Sequence, residues 1–292
     1  MAYFLHTPYS YTKIEKYRFC PYAFKLKYID HAPETLTKEQ KREYAFGNLF
    51  HLFVEKEGNL EEIKMSKKLK TLLQDLAKED VKTAQRLFKK YKESKFYEYF
   101  EEEIETLQRE YPFNIRFKED EKGIVRCSLE KFEFLQSFKD SMGHFRGVID
   151  TLKVDEKRKI VYALDYKTVE SDVYDSLPTQ KELKNLIVKD KRKYIEIFTQ
   201  IYIYSVIVKA IVGNNYKVQG VYLYFDYKNA RIKALKQSLK EMQIAFGGSL
   251  EKLCKTIGAI EASDYYPKKE KADEKCKKCS YYETCFGTYS GN

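Results

Sequence analysis

At Pro112 the hydrophobic period of the chain changes, and that change limits the fold more than any other sequence feature. Before it, apolar residues recur at helical spacing. Tyr11 to Ile29 reads as one or two helices, with Thr12 and Glu15 as a capping box and Pro21 able to open a second helix. A further helix is expected from Glu43 to Lys56. From Leu60 to Tyr111 the pattern is helical and highly charged, with Leu69, Leu72, Leu73 and Leu76, then Leu87, Phe88 and Tyr91, on buried stripes. After Pro112 the period is two. Ile115–Phe117, Gly123–Leu129, Phe132–Phe138, Phe145–Val154 and Lys159–Tyr166 read as strands, the last two joined by an Asp155–Arg158 turn. A polar stretch follows. Then come a helix over Lys193–Val212, a strand over Lys217–Tyr227 that Ala230–Leu235 can pair with, and a helix over Lys236–Ile257. This order fits an α/β or α+β core with a helical insertion.

Composition narrows the class. The 292 residues are 43% apolar, with 12 Gly and 6 Pro, which excludes fibrous and low-complexity chains. A net charge of +10 favours a polyanionic partner, although a solvated basic surface would carry the same excess. No stretch reads as long enough to span a membrane; the best candidate, Ile195 to Val212, is interrupted by Gln200, Ser205 and Lys209. Residues 1–6 do not read as a signal peptide, so a cytoplasmic location is expected, with cysteines that are reduced thiols or metal ligands.

Asp-x-Lys triplets occur at Asp80, Asp120, Asp155, Asp165, Asp226 and Asp273, and most belong to solvated turns. Asp165 and Asp226 alone follow a buried-looking strand. Asp165 alone is preceded across a hairpin by another acid closing an apolar strand, Asp150. Alternation places Lys167 on the face of Asp165. Two close carboxylates repel and call for a cation; a hard divalent ion such as Mg²⁺ or Mn²⁺ suits oxygen ligands. A structural Asp–Lys pair fits the hairpin equally well. His51 favours the metal: Gly47 and His51 share a helix face, the glycine allows close approach, and Glu55 is placed to fix the imidazole tautomer. Gln200 and Tyr204 share a face of the long helix, as site-lining groups or as its polar edge.

Cys276, Cys279 and Cys285 form C-x2-C-x5-C, which with one more thiolate would hold zinc or an iron–sulfur cluster. Cys20 lies at the far end of the chain. Cys127 and Cys254 read as small buried hydrophobes.

The ordered set Ser10–Pro21, Gly47-x3-His51, Gly147-Val-Ile-Asp150, Asp165-Tyr-Lys167, Gln200-x3-Tyr204 and C-x2-C-x5-C resembles the RecB-like nucleases of the PD-(D/E)xK superfamily that carry a four-iron cluster. The CRISPR-adaptation nucleases and the nuclease domain of AddB-type subunits share this layout. The resemblance implies a restriction-endonuclease-like α/β fold, a mixed central sheet flanked by helices. It implies that His51, Asp150, Asp165 and the Tyr166 carbonyl hold Mg²⁺ or Mn²⁺ and that Lys167 is the catalytic lysine. Gln200 and Tyr204 would line the substrate site. Cys20, Cys276, Cys279 and Cys285 would hold a [4Fe-4S] cluster, with zinc the alternative occupant, stapling the two ends of the chain. Four segments follow: N-terminal helices over 1–59, a charged insertion over 60–112, a nuclease core over 113–261 and a cysteine-rich tail over 262–292. The implied activity is metal-dependent hydrolysis of DNA, as an exonuclease on single-stranded or frayed ends, beside a helicase or CRISPR-adaptation proteins. A non-catalytic DNA-binding subunit and a zinc-stapled interaction module are the alternatives.

Overall fold

The computed structural model describes residues 9–119, 125–129, 144–246, 256–260, 263 and 266–287. The chain divides into two compact units, one of Met1–Gln40, Asn114–Gly147 and Leu250–Asn292, the other of Lys41–Phe113 and Val148–Ser249. Six strands follow the order β2-β1-β3-β4-β5-β6, where β1 is Glu105–Glu119, β2 Val125–Leu129, β3 His144–Asp155, β4 Ile160–Val169, β5 Lys217–Asp226 and β6 Arg231–Ser238. Five of them run through the second unit. β3 and β4 are antiparallel, β4 and β5 parallel, and β5 and β6 antiparallel, so the sheet is mixed. The parallel pair requires a crossover, and α10 (Lys191–Val212) supplies it.

Helices cover the sheet for reasons readable in their side chains. α3 (Lys38–Glu55) buries Phe46, Leu49, Phe50, Leu52 and Phe53. α6 (Lys78–Lys92) buries Ala84, Leu87, Phe88 and Tyr91, one stripe at i, i+3, i+4 and i+7. Both pack against Tyr162, Leu164 and Tyr166 of β4 and Val221, Leu223 and Phe225 of β5 in a single core. At α6 the Asp80 carboxylate accepts from the Ala77 N–H and pairs with Arg42. α10 passes the length and composition test for crossing a membrane, contrary to the expectation that no stretch would. Its core-facing residues are instead buried, among them Phe198, Ile201, Tyr202, Ile207 and Val208. Gly220 of β5 permits that packing: a Cβ there would lie 2.7 Å from the Ile201 side chain.

Several boundaries differ from the sequence reading. The first helical stretch is two helices, α1 (Tyr11–Phe19) and α2 (Pro21–Tyr28), and α1 is capped by Ser10 rather than Thr12. α3 starts at Lys38, earlier than expected. Between Leu60 and Tyr111 the helices α4 (Leu60–Met65), α5 (Lys67–Leu72), α6 and α7 (Lys95–Tyr97) lead into a π-helix over Glu98–Glu103. β1 then begins at Glu105, inside the stretch read as helical. Its Thr106 and Arg109 point into a buried ionic cluster, and pattern reading takes such charged residues for a helix surface. Two helices, α8 (Ser171–Ser176) and α9 (Gln180–Lys189), occupy the polar stretch where none was expected; Thr179 and Glu182 form a capping box for α9. α11 (Leu239–Phe246) covers part of the helix expected over Lys236–Ile257, whose first residues are taken by β6; residues 256–260 are helical as well. The strand expected at Phe132–Phe138 lies outside the described residues, as does Cys254; for Cys127 only the backbone is described.

Candidate functional site

The β3–β4 ladder ends at the pair Thr151–Leu164. One step beyond, the Asp150 carboxylate takes the place of a backbone acceptor and receives the Tyr166 N–H at 2.8 Å. The two expected acids, Asp150 and Asp165, therefore stand where two strands part. His51 reaches the same point from α3. Its Nε2 lies 2.9 Å from the Tyr166 carbonyl, and its Nδ1 lies 3.7 Å from Asp150 Oδ2. A carbonyl only accepts, so Nε2 carries a proton, and Nδ1 faces Asp150. The Tyr166 carbonyl thus sets the tautomer; Glu55, expected to do so, pairs with Lys56 at 3.1 Å. Gly47 brings α3 close to β4: a Cβ there would lie 3.3 Å from Thr168 Oγ1.

Glu110 joins this group. His51, Glu110 and Asp150 each offer a ligand atom within 4.8 Å of the others. The sequence reading missed it because Arg109-Glu-Tyr looked like the end of a charged helix. The available signal was Pro112, which disfavours helix in the residue before it. Glu110 has φ +48°, a left-handed conformation that costs a non-glycine residue about 1–2 kcal/mol. Such strain persists where surrounding structure holds it, and it concentrates at functional sites. Glu110, His51, Glu55, Asp150 and Tyr166 line one small cavity.

Asp165 and Lys167 lie beside this group, on the opposite side of β4 from the Tyr166 ring. Lys167 Nζ is 2.7 Å from Asp165 Oδ2 and donates to Gln200 Oε1 at 3.1 Å. Gln200 in turn donates to the Tyr204 hydroxyl at 2.8 Å. The residues expected at separate points along the chain thus form one polar row, running from β4 to α10. Asp165 is 2% exposed, and its Oδ2 is paired with that ammonium.

The electrostatics of the pair are unequal. Burial, then the nearby Asp165 charge, push the Asp150 carboxyl well above the ordinary carboxylate range, against the Tyr166 N–H and Lys167. Burial alone would depress Lys167, but the Asp165 and Asp150 carboxylates outweigh it and hold the ammonium above its ordinary value. The Lys167 charge is thus shared between the two acids. Imidazole, carboxylate and carbonyl donors match the preferences of Mg²⁺ or Mn²⁺.

In the other unit, Cys20, Cys276, Cys279 and Cys285 all line one cavity with Phe19, Tyr22 and Lys268. Cys20 is the N-cap of α2. Cys276 lies in the short helix α12 (Glu274–Lys277), Cys285 in α13 (Tyr282–Phe286), and Cys279 between them. Backbone bonds tie this segment to the first forty residues: Thr35 N–H donates to the Ser280 carbonyl at 2.8 Å, and Tyr281 is fully buried against Ala23 and Leu26. Burial raises the Cys276 and Cys285 thiols. Four soft sulfur donors from both chain ends suit either zinc or an iron–sulfur cluster.

The sequence matches the PD-(D/E)XK nuclease superfamily over residues 8–286. Among solved structures, a protein of Eubacterium rectale described only provisionally as an exonuclease is similar in fold. It aligns with a TM-score of 0.53 at 12% identity, over 92% of this chain and 87% of that one. No curated protein matches the sequence.

Proposed function

The chain belongs to the PD-(D/E)XK nuclease superfamily, and from that premise we propose that it is a metal-dependent deoxyribonuclease acting on single-stranded or frayed DNA ends. The observation that carries the reading is the meeting of His51, Asp150 and Glu110 at the strand end that also bears Asp165 and Lys167. Nucleases of this superfamily usually use Mg²⁺ or Mn²⁺. In our assignment His51, Asp150, Asp165 and the Tyr166 carbonyl hold the ion, with Glu110 as an additional acid. When bound, the ion supplies a water of lowered pKa and a Lewis acid for the phosphate. Lys167, kept charged by Asp165, donates toward the developing charge on the phosphate; Gln200 fixes the direction of the ammonium, and Tyr204 fixes Gln200. Asp150 has an ionisation that costs energy in the bare site, so a cation is the partner it lacks.

The thiols of Cys20, Cys276, Cys279 and Cys285 are assigned to a [4Fe-4S] cluster, which would close a loop between the two ends of the chain. The test of the activity is cleavage of end-labelled single-stranded, frayed and blunt DNA with Mg²⁺, Mn²⁺ or EDTA. Processive loss of label from single-stranded ends supports the reading, and no cleavage with either ion sinks it. Anaerobically purified protein should be brown and contain iron. Cys279→Ala should lose colour and stability together, whereas Cys127→Ala should keep the colour; colourless protein with one bound zinc would replace the cluster by zinc.

A further inference from the structure

A second buried carboxylate lies among the strands that carry the site, and its surroundings are the reverse of those of Asp150. Glu101 sits in the π-helix over Glu98–Glu103, a conformation found mostly as local insertions near functional sites. Its Oε1 accepts from the Tyr91 hydroxyl at 3.0 Å and the Tyr166 hydroxyl at 3.1 Å. Its Oε2 accepts from Arg109 at 2.9 Å and from Lys153 at 2.5 Å. Lys153 is fully buried and also donates to Thr106. Burial would raise Glu101, but Lys153 and Arg109 outweigh it and keep the carboxylate ionised. All four acceptor directions are used, so this group has no capacity left for a ligand.

What it holds is informative. Arg109 adjoins Glu110 on β1, whose strained backbone needs support. Lys153 lies three residues beyond Asp150 on β3. Tyr166 gives its N–H to Asp150 and turns its carbonyl to His51. One carboxylate thus fastens the three strands that bear Glu110, Asp150 and Asp165, from behind β4. We propose that Glu101 is a positioning residue for the divalent-metal site, acting through the Tyr166 hydroxyl and Arg109 on the Tyr166 carbonyl and Glu110. This rests on the nuclease reading above. A purely structural ion cluster would stabilise the fold without regard to which partner is removed.

Tyr91 and Tyr166 separate the two ideas, because both hydroxyls donate to the same oxygen at nearly the same distance, yet only Tyr166 belongs to a site strand. The measurement is Mn²⁺ binding to the full chain by calorimetry, with thermal unfolding as the stability control. Tyr166→Phe should weaken Mn²⁺ binding about tenfold, and Glu101→Gln by about 10- to 100-fold, the range for groups that orient metal ligands. Tyr91→Phe should lower the unfolding midpoint as much as Tyr166→Phe while leaving Mn²⁺ affinity within about twofold. The tyrosine pair keeps the test decisive should Glu101→Gln fail to fold. Equal Mn²⁺ loss in both tyrosine variants, or loss in neither, overturns the positioning role while wild-type binding and cleavage leave the nuclease reading standing. Wild-type protein that neither binds Mn²⁺ nor cleaves DNA removes the nuclease reading, and the positioning role with it.

Discussion

The chain contains the triplet Asp-Tyr-Lys twice after an apolar strand, at Asp165 on β4 and at Asp226 on β5, two neighbouring parallel strands. Both aspartates are buried, at 2% and 0% exposure. Asp226 is saturated: it accepts from the Ser171 hydroxyl, the backbone N–H groups of Lys228 and Asn229, the Asn229 amide and Arg231. Among the described residues, Asp165 has one side-chain partner, the Lys167 ammonium on its Oδ2. The lysines diverge likewise. Lys228 pairs with Glu170 at the surface, whereas Lys167 sits between Asp165 and Gln200. A buried carboxylate whose acceptors are all used serves as a turn; one left with spare acceptors beside a second acid is poised for a cation.

The largest expected contrast is in turnover. Asp165→Ala should reduce Mg²⁺- or Mn²⁺-dependent cleavage by roughly three orders of magnitude or more, and Lys167→Ala by about 10²- to 10³-fold. Lys167→Ala should still bind Mn²⁺, because an ammonium is not a ligand. Asp226→Ala should leave the turnover of folded protein intact. Loss of cleavage in Asp226→Ala with activity kept in Asp165→Ala would reverse the comparison.

Stability is expected to run the other way. Asp226→Ala orphans Arg231 and the turn's N–H groups and should cost about 3 kcal/mol in urea unfolding. Lys228→Ala, at a solvent-exposed pair, should change stability by less than about 1 kcal/mol.

A subtler contrast lies in pH. Burial raises the Asp226 carboxyl, but Arg231 and the turn donors prevail and depress it. Its stabilisation is present above the unfolded-state value near about 4 and is lost as pH falls through the depressed value. Asp150 is raised by burial and by Asp165. In metal-free protein the fold therefore favours its protonated form, and stability falls as pH rises from about 4 through the raised value. Unfolding midpoints in EDTA, followed from acid to neutral pH, should show Asp226→Asn flattening the acid limb. Asp150→Asn should raise the neutral midpoint by about 2–4 °C. A neutral midpoint lowered by Asp150→Asn would mean that the bare site is already compensated.

Some of this is local chemistry and was legible in the residues. Pro21 after Cys20 marks the break between α1 and α2, the apolar stripe of α6 marks its buried face, and the Asp155–Arg158 turn joins β3 to β4. The succession of β3, β4, α10, β5 and β6 follows from hydrophobic period, and the spacing of Asp150, Asp165 and Lys167 follows from a hairpin with alternating side chains. Glu110, Glu101 and the start of β1 were not legible. Each is a charged residue in a charged stretch, and short-range pattern assigns such residues to a helix surface. Their roles are decided by partners 40 to 65 positions away, Asp150 for Glu110, and Lys153 and Tyr166 for Glu101. The two Asp-Tyr-Lys triplets carry the point furthest. They are identical as sequence, and what separates them is the number of donors that the folded chain brings to each carboxylate.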